Sequence, residues 1–144
     1  MISPSASPPR SGRPQPLSLP EVVAGIVNDG SAAVVAEAAV RLARELGGRV
    51  RFVQVLPGGL DDHERADAEA ITFSTALRAL RGRPRVQATF ESPSGDPREL
   101  LVNRSRMAMA LVVGQDKSDV GARHDVAAYC EAISGCRVVV VPVT

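Results

Sequence analysis

The sequence predicts an α/β fold on a parallel sheet, and three observations carry it. Short apolar runs alternate with helix-length amphipathic stretches, giving five strands and four helices in strict order. The first run, Val22-Val23-Ala24-Gly25-Ile26-Val27, is continuous in its apolar character, as a strand covered on both faces must be. Strand, crossover helix and strand then follow between Glu21 and Leu56, a unit that sets its two strands parallel.

Each element has its own warrant. Asn28-Asp29-Gly30-Ser31 supplies turn and helix-cap residues, and a helix is expected over Ser31 to Leu46. Val34, Val35, Ala38, Ala39, Leu42 and Leu46 would form its apolar face, with Glu37, Arg41 and Glu45 paired at i,i+4 on the wet side. Gly47-Gly48 stops it. Arg49 to Leu56 reads as the second strand and Pro57-Gly58-Gly59 as a turn. The second helix, Asp61 to Leu80, has a weak stripe (Ala66, Ala70, Phe73, Leu77, Leu80) suited to the margin of the core. Arg85 to Glu91 alternates in part, as an edge strand does. Asp96-Pro97-Arg98-Glu99 is a helix start, with Asp96 as cap, Pro97 first, and Glu99 spaced as in a capping box. Leu100, Leu101 and Arg104 continue that helix. A central strand over Ala108 to Val113 ends in Gly114, a helix over Asp125 to Ile133 follows, and Arg137 to Val143 is the last strand.

Composition narrows the function classes. The 144 residues suffice for one domain, and 17 basic against 16 acidic side chains leave a net charge of +1. That balance gives no pull toward nucleic acid or an anionic membrane. With 3% aromatics there is no stacking platform for single strands. No run is long and apolar enough for a membrane helix or a signal core, so a cytoplasmic protein is expected. Cys130 and Cys136 lack ligand or C-x-x-C spacing and read as reduced thiols. Residues 1–20 hold Pro4, Pro8, Pro9, Pro14, Pro16 and Pro20 among Ser, Gly and Arg, a composition expected to form a disordered tail before a domain at 21–144. Ser3-Pro4 and Ser7-Pro8 within it are candidate points of modification or partner docking.

Several strings occur in a telling order. They are Asp29-Gly30-Ser31 after the first strand, Leu42-Ala43-Arg44-Glu45-Leu46-Gly47 closing the first helix, and Gly95-Asp96-Pro97 opening the third. Leu111-Val112-Val113-Gly114 and Val138-Val139-Val140-Val141-Pro142-Val143 complete the set. In that order and spacing the chain resembles the universal stress protein family in its UspA-like form, over about Glu21 to Thr144. The resemblance implies an open, doubly wound five-stranded sheet of order 3-2-1-4-5, helices on both faces, and a homodimer paired through the last strand. An uncharged apolar edge at Val138 to Val143 independently invites such pairing.

Nucleotide-binding members of that family carry Gly, two residues, Gly, nine residues, then Gly followed by Ser or Thr. Glycines let backbone N–H groups approach phosphate oxygens at a helix start. Here the first position is Gly114, the second is Lys117, and the last two fall on Ala127 and Ala128, so three of the four differ. Asp116, Asp119 and Asp125 would set carboxylates near a polyphosphate, against Lys117, Arg123 and His124, while Gly121 keeps some flexibility. Asn28 and Asp29 stand where the resemblance places an acidic residue toward the adenosine, and either can take that place. Turn and cap chemistry is the favoured account of both. The candidate site is therefore Asn28, Asp29, Gly114 and Lys117, with Lys117 as a point contact to one phosphate or a solvated lysine.

Other clusters reduce to local chemistry. Asp61-Asp62-His63-Glu64 opens a helix, where carboxylates complement the dipole and adjacent side chains diverge. His124-Asp125 has no nucleophile elbow to serve. Arg78, Arg81, Arg83 and Arg85 gather at a helix end that favours cations. The expectation is a non-catalytic stress-response module without cofactor or metal, acting through a protein partner; the alternative is an ATP- or AMP-binding sensor with an altered phosphate loop.

Overall fold

The computed structural model describes residues 19–27, 31–83, 85–116 and 125–142. Its elements run β1 (Glu21–Ile26), α1 (Ala32–Leu46), β2 (Arg49–Gln54), α2 (Asp62–Leu80), β3 (Gln87–Glu91), α3 (Pro97–Arg104), β4 (Ala110–Gly114), α4 (Val126–Ile133) and β5 (Arg137–Val141). All four strand pairings are parallel and the order is β3-β2-β1-β4-β5. The expected sheet is the observed one.

Register fixes two cores. Alternate β residues Val22, Ala24, Ile26, Val50, Phe52 and Val112 pack with α1 and α2 on one face. Val23, Val53, Leu111 and Val113 pack with Leu101 of α3 and with Ala127 and Cys130 of α4 on the other. Burial on both faces of β1 and β4 is what removed alternation from their sequences. Gly25 sits between these layers, where an added Cβ would lie 2.8 Å from Leu101 Cδ1. Its lack of a side chain lets α3 approach β1.

Both long helices turn differently from their expected faces. In α1 the buried residues are Ala32, Val35, Ala36, Ala39, Val40 and Ala43, while Val34 is exposed and Leu42 and Leu46 lie at the margin. The small alanines bring α1 close to the sheet, and the larger residues flank that contact. Glu37 pairs with Arg83 at 2.6 Å, across helices, rather than with Arg41. In α2 the buried residues are Thr72, Ala76 and Ala79, so the expected stripe of Ala66, Ala70, Phe73 and Leu77 faces outward. A tilt of about one residue suffices, because a helix turns by about 100° per residue. Only Leu80 of that stripe packs against the core, at its margin.

Boundaries shift for local reasons. β3 begins at Gln87 because the Val86 N–H donates to the Arg83 carbonyl in a turn. β4 begins at Ala110 because the Ala108 N–H donates to Ser105 O. Leu56 lies past β2 in an isolated bridge to Ser94. The capping box forms at Asp61 and Glu64, whose side chains accept from each other's backbone N–H. At α3, Asp96 instead accepts from the N–H of Arg98, one residue earlier than a box requires. Gly47 closes α1 in the left-handed conformation at φ 67°. Among the described residues no helix is long and apolar enough to cross a membrane.

Candidate functional site

In an open parallel sheet the ligand crevice lies beyond the carboxyl ends of the strands, where the order reverses. Here that point is between β1 and β4, which are neighbours although other elements separate them in sequence. Of the expected site residues, Asn28, Asp29 and Lys117 lie outside the described residues, as do Asp119, Gly121, Arg123 and His124.

Gly114 is placed at the end of β4, paired with Val141 of β5. An added Cβ would sit 3.4 Å from Ser31 Cβ, Ser31 Oγ and Val35 Cγ2. That is ordinary contact, so packing alone does not require glycine there. The strand direction continues one residue further, where the Gln115 N–H donates to Val141 O at 2.9 Å.

The next residue closes the site. Asp116 accepts hydrogen bonds from the N–H groups of Ala127 at 2.8 Å and Ala128 at 2.9 Å, one on each carboxylate oxygen. These are second and third residues of α4, whose amides have no partner inside the helix. They are also the two positions that the family pattern assigns to a phosphate-facing Gly and Ser or Thr. Asp125, the local cap position, makes no cap bond of its own. Its carboxylate goes to Arg98, 3.4 Å away. A carboxylate 11 and 12 residues away in sequence thus takes two of the first amides of α4.

Arg98 joins the helices. It is bonded to Asp96 on its own helix and to Asp125, and its guanidinium lies 5.5 Å from the Tyr129 ring centroid. Its hydrogen bond to Asp96 holds that carboxyl below the ordinary value of 3.8, and the same bond raises the Arg98 pKa. Beside them lies an open cleft of about 520 Å³, bordered by Pro57, Gly58, Ser94, Gly95, Asp96 and Arg98. Arg65 of α2 reaches its rim, donating to Ser94 Oγ at 2.9 Å and to Ser92 O.

The remaining reactive groups are engaged elsewhere. Cys130 is buried, and burial, with Asp116 and Cys136 nearby, pushes its thiol up to about 11. His63 pairs with Asp67 at 3.4 Å, and Asp61 and Glu64 are spent in the capping box. Among the described residues no group of three or more His, Cys, Asp or Glu converges as metal ligands would.

Sequence reasoning counted Asp116 as a charge hostile to phosphate, and Asp125 as another such charge at the start of the last helix. It missed the cap by Asp116 and the clamp by Arg98. The first spans 11 and 12 residues and has no local spacing to betray it. Of the second, only the role of Asp96 as N-cap was legible, not its pairing with the Arg98 side chain.

No protein-family model matches this sequence, and no curated protein is similar to it. Solved structures are. A universal stress protein in complex with cAMP matches at TM-score 0.68 and 16% identity, over 88% of this chain and 99% of that one. A universal stress family protein from Burkholderia pseudomallei matches at TM-score 0.65 and 21% identity, over 85% and 96%. The universal stress protein from Archaeoglobus fulgidus in complex with dAMP matches at TM-score 0.62 and 22% identity, again over 85% and 96%. At these identities the likeness is one of architecture: the chain has the fold of the universal stress proteins.

Proposed function

We propose that this chain is a member of the universal stress protein family that acts as a cytoplasmic, non-catalytic regulatory or interaction module and does not bind ATP tightly. The observation that carries the reading is the Asp116 carboxylate on the Ala127 and Ala128 amides. Hydrogen bonds to a charged acceptor are worth about 1.5–3 kcal/mol each. A phosphate arriving at α4 would have to displace both, then stand near the displaced charge. Like charges at 4 Å repel by about 1 kcal/mol in water and about 4 kcal/mol near a protein surface. With Arg98 already shared by Asp96 and Asp125, that end of the sheet has little positive charge left among the described residues.

The absence of a catalytic role is part of the proposal. It is supported by a buried thiol with a raised pKa and by the lack of an acid, base and nucleophile set among the described residues. Dimerisation through Val138 to Val143 is also proposed. Supporting it, β5 is a sheet edge whose valines from Val138 to Val141 are half-buried, though Val143 lies outside the described residues.

A second reading, an adenine-nucleotide sensor, is favoured by the cleft beside Arg98 and by solved neighbours carrying cAMP and dAMP. Calorimetric titration of ATP with Mg²⁺ into the full chain, freed of co-purified nucleotide, separates the two. No heat up to millimolar ATP is expected. Micromolar binding would overturn the leading reading and install the sensor.

A further inference from the structure

The outward face of α2 is not a plain wet surface. Ile71, Phe73 and Leu77 are 55%, 48% and 50% exposed. Phe73 meets Phe90 of β3 edge-on at 5.5 Å, and Phe90 meets Phe52 at 6.3 Å. The chain has three phenylalanines, and all stand in this one ladder from the core to the surface. Between α2 and β3 lies an open trough of about 400 Å³, floored by Ala66, Ala70, Phe73 and Phe90 and rimmed by Glu69 and Glu91. The first half of α2 carries Asp62, Glu64, Asp67 and Glu69 against Arg65 and His63, so it keeps a net negative charge although Asp67 lies 3.4 Å from His63 and Glu69 3.7 Å from Arg65. β3 is the free edge of the sheet on this side.

We infer that this trough is a docking groove for the chain's own proline- and arginine-rich segment, residues 4–16. The chemistry is complementary. Residues 1–18 carry five prolines (Pro4, Pro8, Pro9, Pro14, Pro16), Arg10 and Arg13, and no acidic residue. Proline-rich segments adopt the polyproline II helix at little entropic cost and seat their rings between aromatic side chains. The trough offers Phe73 and Phe90 for the rings and an acidic helix for the guanidinium groups. Ala66 and Ala70, earlier on α2 than Phe73, leave room beside the aromatic pair for an incoming backbone.

Reach is satisfied as well. Pro20 accepts a hydrogen bond from the Arg49 N–H at the start of β2, and Arg49 is in register with Gln87 of β3. The segment therefore leads into β1, two strands from β3 and bonded to the strand between them. Neighbouring strands lie about 4.8 Å apart and β3 is short, so about 20 Å must be covered. Eighteen residues of polyproline II span about 55 Å. The other edge strand, β5, carries Arg137 and four valines, with no aromatic or acidic side chain of its own among the described residues.

The test is trypsin cleavage of the Arg10–Ser11 bond in the full chain, followed by mass spectrometry beside a free synthetic peptide of residues 2–18. Docking predicts cleavage at least tenfold slower in the full chain, at a rate independent of protein concentration. Phe73→Ser is expected to bring the rate to that of the peptide while the domain keeps its thermal midpoint. Should that variant unfold, Ala70→Arg, at an exposed helical position, fills the trough and repels the arginines, with the same expected rise. A wild-type rate equal to the peptide's would overturn the proposal, as would variants cleaved no faster than wild type. Protection lost on dilution would also overturn it, by assigning the groove to another copy's segment.

Discussion

Under α2, Gln54 is buried and donates from Nε2 to Ala68 O at 3.4 Å, while its Oε1 and the Thr72 Oγ1 are buried without partners among the described residues. A buried hydroxyl left unbonded costs about 1–3 kcal/mol, and valine has nearly the same shape. Thr72→Val is therefore expected to stabilise the fold by about 1 kcal/mol, read as a higher denaturant midpoint with an unchanged slope. The two thiols should differ sharply. With its thiol near 11 and buried, Cys130 is expected to resist iodoacetamide at pH 8, so the native protein takes one label, on Cys136, and the denatured protein takes two. Asp96 carries the pH dependence. Its hydrogen bond to Arg98 lowers the carboxyl pKa below 3.8, so the folded state favours the carboxylate. That contribution is present above the ordinary value and fades as pH falls through the lowered one. Carboxyl-carbon NMR should show Asp96 titrating below the free-residue range, and Arg98→Met should return it there.

At the scale of elements, the sequence located the helices better than it oriented them. The apolar stripe of α2 is present, but the hydrophobic pattern cannot say which of two adjacent faces meets the sheet when both carry alanines. Packing chose Thr72, Ala76 and Ala79, which let α2 lie close, and left Phe73 outside with Phe90 as its partner. In α1 the same preference for small residues buried Ala36, Ala39 and Ala43 and left Val34 in solvent. The connection from α1 to β2 is tighter than its Gly-Gly sequence alone implies. An added Cβ at Gly48 would lie 2.1 Å from Pro20 O, the acceptor for the Arg49 N–H. Gly48→Ala is expected to cost on the order of 2 kcal/mol by forcing that backbone apart, a loss measurable by chemical denaturation. A smaller effect at Gly114, where the same atom meets only 3.4 Å contacts, is the natural control.

For the whole molecule, a parallel sheet was legible because strands buried on both faces write continuous apolar runs, whereas the strand order came only from the resemblance of the ordered strings to one family. The site was less legible. Its closing contact joins Asp116 to amides of α4 across a loop, and backbone amides leave no mark on a sequence. The proposed pairing of two copies through β5 is open to a direct test: Val140→Lys places charge in the paired strand and should leave a monomer by light scattering. An unchanged dimer mass would put the interface elsewhere. Whether the chain's own Asp116 carboxylate keeps the α4 amides from a phosphate is read by following the backbone amide signals of Ala127 and Ala128 by NMR during an ATP and Mg²⁺ titration. Both are expected to stay fixed to millimolar ATP, and Asp116→Asn is expected to move them without nucleotide. Saturating shifts of both amides at micromolar ATP in the unmodified chain would contradict that expectation.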